Sequence, residues 1–146
     1  MMVKQIAEMV HNYTIRVRYG ETDQMGRVHH ASYLHYLETA RIEMLRDSGC
    51  SYAQIEAEGF LLPVIDLSIQ YKGAALYDDI IIVETKLEIL GRVRLGFNYR
   101  LLVDDVLVAC ASVSLACLSK ETLRPTALPS FLLNAIEAYD DSSAAT

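Results

Sequence analysis

The sequence predicts an α+β domain in which one long antiparallel sheet wraps around a single central helix. Three observations lead there. The stretch "ASYLHYLETARIEMLRDSG" carries its apolar residues at helical spacing. One stretch before it and about four after it alternate apolar and polar residues with a period of two. A glycine and an acidic pair separate the last strands, as between antiparallel neighbours. The chain has 146 residues, 52% of them apolar, and a positive mean hydropathy. Residues 1–146 therefore read as a single domain with one core.

The first strand places Tyr13, Ile15, Val17 and Tyr19 on one face and Thr14, Arg16 and Arg18 on the other. The polar stretch "YGETDQMGRVHHASY" follows, and then the helix. At ~100° per residue, Tyr33, Leu34, Leu37, Ala40, Met44 and Leu45 span a wide apolar arc. His35, Thr39, Glu43 and Arg46 form a narrow polar strip, so the helix is heavily buried. Gly49 stops it, and Ser51 caps a short second helix in "SYAQIEAEG". Arg41 falls on the apolar side, where a guanidinium needs a partner. Glu38 is within i,i+3 reach, which predicts a Glu38–Arg41 pair; a catalytic role for Glu38 is the lesser alternative.

The period then turns to two. Leu61, Ile65, Leu67, Ile69 and Tyr71 share one face of "FLLPVIDLSIQYKG". Ile81, Val83, Leu87 and Ile89 share one face of "DIIIVETKLEIL". In "RVRLGFNYRLLV", Val93, Leu95, Phe97, Tyr99 and Leu101 oppose Arg92, Arg94, Asn98 and Arg100. "VLVACASVSLACL" is apolar on both faces. Gly91 is expected to make one tight turn and Asp104–Asp105 another. "LPSFLLNAIEAY" reads as a terminal helix with Pro129 near its first turn, and residues 140–146 as a frayed tail. Val106, Val108, Cys110 and Ala116 would leave an apolar strip exposed on the last strand. That strip predicts a homodimer by sheet extension, with a homotetramer as a dimer of such dimers.

The net charge is −6 with no basic stripe, which argues against nucleic-acid binding. Cys50, Cys110 and Cys117 form no CxxC, and Cys110 and Cys117 should face opposite sides of the sheet, so they read as core residues. No leader-like start or bilayer-length apolar run stands out, which gives the expectation of a cytoplasmic protein without integral membrane association.

The polar stretch has a specific spacing: Tyr19, Asp23 four later, Gly26 three after that, Val28 two on and Tyr33 five further. With "LETARIEML" behind it and "RPT" at Arg124 to Thr126, the chain resembles the 4-hydroxybenzoyl-CoA thioesterase-like branch of the hotdog superfamily, in particular the YbgC-like acyl-CoA thioesterases. The resemblance runs over nearly the whole chain. It implies the hotdog fold, hydrolysis of acyl-CoA thioesters without a cofactor, and an active site between two subunits. It places the catalytic carboxylate at Asp23 and an oxyanion-binding backbone amide at His30 or a neighbour.

Chemistry gives these residues roles and plainer alternatives. Asp23 could attack the thioester carbonyl or act as general base for water. An aspartate before a glycine turn also simply bonds to nearby amides. The start of the helix offers unpaired amides to an oxyanion, and Gly26 turns the chain back onto it. His30 could donate a hydrogen bond near the thioester, or cap the helix. His29, His30 and His35 with Glu38 invite a metal, but adjacent histidines are expected to point apart, and none is expected. Arg92 and Arg94, about 7 Å apart on one strand face, could hold CoA phosphates, as could Lys72 or Arg124; a solvated face explains them equally. Tyr33, with Tyr36 and Met44, could line an acyl tunnel or pack the core. The substrate could be an acyl-CoA or an acyl-carrier-protein thioester. A hydratase or dehydratase using His30 with Asp23, and a non-catalytic acyl-thioester binder, are the alternatives.

Overall fold

The computed structural model describes residues 4–5 and 9–144. In chain order the elements are β1 (Lys4–Gln5), β2 (His11–Arg16), a 3₁₀ turn (Tyr19–Glu21), α1 (Ser32–Asp47), α2 (Tyr52–Ala57), β3 (Phe60–Leu61), β4 (Val64–Tyr71), β5 (Ile80–Ile89), β6 (Arg94–Val103), β7 (Val106–Ala116), β8 (Leu118–Ser119) and α3 (Ser130–Ala144). β1 and β2 lie along one edge of β5; β6, β7 and β4 follow, all antiparallel. β3 and β8 form a separate pair.

α1 crosses the inner face of this sheet. It buries Tyr33, Tyr36, Leu37, Ala40, Met44 and Leu45 against strands whose inner rows include Val83, Leu95, Phe97, Leu101 and Leu115. Each such aliphatic side chain contributes about 1.5–3 kcal/mol by leaving water. The helix ends as expected: Gly49 has φ +89°, and its N–H donates to the Arg46 carbonyl at 3.0 Å. Ser51 caps α2 by accepting from Gln54 N–H at 3.2 Å. Asp104 and Asp105, at φ +49° and +64°, make the tight turn between β6 and β7.

Several expectations change. The first strand stops at Arg16, and Tyr19, expected on the buried face, is 78% exposed on the 3₁₀ turn. Pro63 divides the "FLLPVIDLSIQYKG" stretch, and an irregularity follows between Val64 and Asp66. Because β4 is an edge strand that α1 does not cover, Ile65, Leu67 and Tyr71 are exposed. The connection at Gly91 is wider than a two-residue turn. Leu90 N–H donates to the Arg94 carbonyl at 3.1 Å, and the Leu90 side chain folds over Gly96, where a Cβ would lie 2.8 Å from it.

The apolar strip on β7 is also different. Val106 is exposed, but Val108 and Ala116 are buried and Cys110 is half-buried beside Gln70. Edge strand β4 instead exposes four apolar residues, Val64, Ile65, Leu67 and Tyr71. The expected tail from residue 140 is helical through Ala144; residues 145 and 146 lie outside the described residues. Among the described residues, no helix is long and apolar enough to cross a membrane.

Candidate active site

The polar stretch folds into a small hairpin. Thr22 and Val28 bridge antiparallel, Asp23 N–H donates to the Arg27 carbonyl at 2.8 Å, and Gly26 N–H donates to the Asp23 carbonyl at 3.0 Å. Gly26 has φ +76°, a conformation that side chains with a Cβ disfavour. Val28 N–H donates to the Ala75 carbonyl at 2.8 Å and so ties the hairpin to the chain entering β5.

Asp23 performs the plainer of its two expected roles in full. Its Oδ1 accepts from Met25 N–H at 2.9 Å and Arg27 N–H at 3.2 Å, an Asx turn. Among the described residues nothing donates to Oδ2. One carboxylate oxygen builds the turn, and the other has no donor among the described residues.

The second arm of the hairpin runs into α1. No side chain caps this helix at Ala31. His29 N–H donates to the Glu21 carbonyl at 2.8 Å and Ser32 N–H to the His29 carbonyl at 2.9 Å. Between them, the His30 N–H has no acceptor among the described residues. The His30 carbonyl accepts from the Tyr71 hydroxyl at 2.9 Å. The imidazoles do not diverge as expected: the His29 and His30 ring centroids are 4.3 Å apart, and His29 Nδ1 accepts from Ala31 N–H at 3.2 Å. Among the described residues no three His, Cys, Asp or Glu side chains gather as a metal group would need.

Beneath the hairpin lies a bond network that the sequence did not suggest. The Tyr36 hydroxyl donates to Glu21 Oε1 at 2.9 Å, and Arg18 N–H donates to the same oxygen at 2.8 Å. The Glu21 carbonyl takes His29 N–H and, at 3.2 Å, the Ser32 hydroxyl. Burial pushes the Glu21 carboxyl up, but the bonds from Arg18 and Tyr36 outweigh it and hold the group below its ordinary value. Burial and the accepting carboxylate push the Tyr36 phenol well above its ordinary range. The pair floors a groove of about 300 Å³ whose walls include Arg16, Arg18, His35 and Thr39.

Tyr33 is buried at the helix start, edge-on to Tyr36 at 5.9 Å and to Tyr71 at 5.3 Å. Burial raises its phenol. Arg94 is exposed at the far end of the sheet, and Arg92, expected on the same strand face, lies instead in the connection before β6, which starts only at Arg94. Arg94 pairs with Ala116, whereas the hairpin meets the sheet where Ile82 pairs with Leu102 and Arg16 with Ile80. Eight residues of strand separate Arg94 from Leu102, roughly 26 Å at 3.3 Å per residue. Lys72, by contrast, directly follows Tyr71 at the hairpin end. Glu21, Tyr36 and Tyr71 hold this region through contacts 15 to 41 residues apart in the chain, a separation that periodicity does not report.

Comparison with known proteins bears on this geometry. The model of the Thioesterase-like superfamily matches residues 17–136. The acyl-CoA thioesterase YbgC of Haemophilus influenzae is 34% identical over 119 residues, 81% of this chain and 88% of that protein. The acyl-CoA thioester hydrolase YbgC of Escherichia coli O157:H7 is 32% identical over 118 residues, 80% of this chain and 88% of that protein. A DHNA-CoA thioesterase structure from Staphylococcus aureus superposes with a TM-score of 0.82 at 32% identity, covering 92% of this chain and 91% of that one. The hotdog arrangement is thus shared with these relatives, and the chain belongs to the Thioesterase-like superfamily.

Proposed function

We propose that this chain hydrolyses acyl-CoA thioesters to the free acid and CoA. The observation that carries it is the pair of unused groups on one hairpin: Asp23 Oδ2 on the first arm and the His30 N–H after the second. The activities named for the YbgC relatives support the same reaction.

The His30 N–H, at the positive end of α1, donates to the thioester oxygen as it becomes an oxyanion. Asp23 Oδ2 has two courses. As nucleophile it bonds to the carbonyl carbon, the C–S bond breaks, CoA leaves as thiolate, and water then cleaves the mixed anhydride. As general base it takes a proton from water, whose oxygen attacks instead. The hydratase alternative draws less support because the His30 ring lies against His29, and the binder alternative because the YbgC relatives are named as thioesterases. Tyr33 lies on the acyl side of the helix start. Arg92 and Arg94 serve the CoA phosphates from the far end of a sheet, which an antiparallel partner along β4 would bring towards the hairpin. Lys72 is the cation nearer to it on the same chain. A carrier-protein thioester presents the same pantetheine arm.

Thiol release from a panel of acyl-CoAs tests the reaction. Asn at position 23 keeps an Oδ1 to accept from Met25 and Arg27, so Asp23→Asn retains the turn. Its kcat should fall roughly 10²- to 10⁴-fold. Wild-type kcat in Asp23→Asn would overturn the role of Asp23, and no thiol release from any acyl-CoA would overturn the reaction. Single turnover in H₂¹⁸O tests the nucleophilic course: label in the Asp23 carboxylate requires an anhydride opened at the aspartyl carbon, whereas label in the free acid alone arises from the base course or from water opening the anhydride at its acyl carbon.

A further inference from the structure

We infer that Glu21 and Tyr36 act as a positioning pair that aims the His30 N–H at the substrate oxygen; the inference rests on the hydrolase reading above. Glu21 meets both arms of the hairpin. Its carboxylate Oε1 is fixed by the Tyr36 hydroxyl at 2.9 Å and by Arg18 N–H at 2.8 Å. Its carbonyl is the acceptor for His29 N–H at 2.8 Å and Ser32 Oγ at 3.2 Å. The residues bound to that carbonyl flank His30 and Ala31. The peptide that presents the His30 N–H is therefore held from below through His29, while Tyr71 holds the following peptide by its carbonyl at 2.9 Å.

The pair is built to be stiff. Tyr36 is 2% exposed on α1, edge-on to Tyr33, so its hydroxyl has no freedom to follow a moving loop. The Glu21 side chain is 15% exposed, and Arg18 bonds both its oxygens, from the backbone and from the guanidinium at 3.3 Å. A charged acceptor with a phenolic donor makes a stronger bond than two neutral groups would. An oxyanion donor acts by being in place before charge develops, so its orientation enters kcat rather than substrate affinity. Glu21 also precedes Asp23 by two residues, so the anchor fixes the arm that carries the carboxylate.

The test uses Tyr36→Phe, Glu21→Gln, Glu21→Ala and the double variant Glu21→Ala/Tyr36→Phe, each assayed with a good acyl-CoA and checked for folding by thermal melting. Phe keeps the ring and its packing and removes one hydroxyl. Tyr36→Phe and Glu21→Ala should each lower kcat roughly 10- to 100-fold with KM changed less than about threefold. Gln retains Oε1 as acceptor for the Tyr36 hydroxyl and the Arg18 backbone N–H and loses only the acceptor for the exposed Arg18 guanidinium, so Glu21→Gln should stay within about threefold of wild type. The double variant should lose no more than the worse single one, because Glu21→Ala already removes the bond that Tyr36→Phe breaks. Wild-type kcat in Tyr36→Phe, additive losses in the double variant, or a loss seen only in KM would each overturn the pair. A wild-type protein that releases no thiol would instead overturn the hydrolase reading, so the two failures are distinguishable.

Discussion

At the scale of the residue, the hairpin divides labour within single side chains. Asp23 spends Oδ1 on its Asx turn and keeps Oδ2 free, so the structural and catalytic expectations for it do not compete. This much was legible, because Asp23, Gly26 and the helix start are close in sequence. Glu21 was not, because its partner Tyr36 lies 15 residues away in the chain and reads only as an aromatic of an acyl tunnel or of the core. Its environment gives a pH prediction. The folded carboxyl titrates below the ordinary value of 4.5, so the charged form is favoured in the native state. The stability this contributes is full above pH 4.5 and is lost as pH falls through the lowered native value. The wild type should therefore melt above Glu21→Gln at pH 6, and the difference should shrink below about pH 4. A gap in melting temperature that is unchanged between pH 6 and pH 3 would count against a charged Glu21.

At the scale of the element, α1 shows where helical periodicity is reliable and where it stops. It gave the buried arc, apart from Leu34, which is 41% exposed. It placed Arg41 on the inner side, where that residue is 8% exposed. The expected partner is wrong: Glu38 is exposed, and among the described residues no ion pair joins it to Arg41. The guanidinium turns instead towards the phenol oxygens of Tyr99 and Tyr52 across the sheet and α2. Burial pulls its pKa down, and the attraction of these oxygens more than offsets that. They are near enough to attract, yet Arg41 Nε and Tyr99 Oη have no hydrogen bond of good geometry. The charge is thus poorly compensated while the stem fills core space. Arg41→Met should keep stability within about 1 kcal/mol, and Arg41→Ala should lose about 2–4 kcal/mol through the cavity it opens. Urea midpoints measure both, and equal losses would show that the charge, not the volume, is what stabilises.

At the scale of the whole molecule, the five long strands, their order along the chain and the central helix were legible from period; the two-residue strands β1, β3 and β8, too short to show a period, were not. The exposed surface was not, because an edge strand and a covered one share the same alternation. β4 carries the difference. Leu67, paired with buried Val113, and Tyr71, paired with buried Ala109, belong to the inner face, yet they are 39% and 47% exposed. An inner face left open beside an unpaired edge would be completed by a second copy pairing along β4. That pairing would also reach the active site, because Tyr71 on this strand holds the His30 carbonyl. The wild type should therefore run as a dimer or a dimer of dimers in light scattering. Leu67→Asp, which removes little packing within one chain, should run as a monomer with kcat reduced in step with dissociation. A Leu67→Asp variant of unchanged mass would place the interface elsewhere, and a fully active monomer would separate the site from assembly altogether.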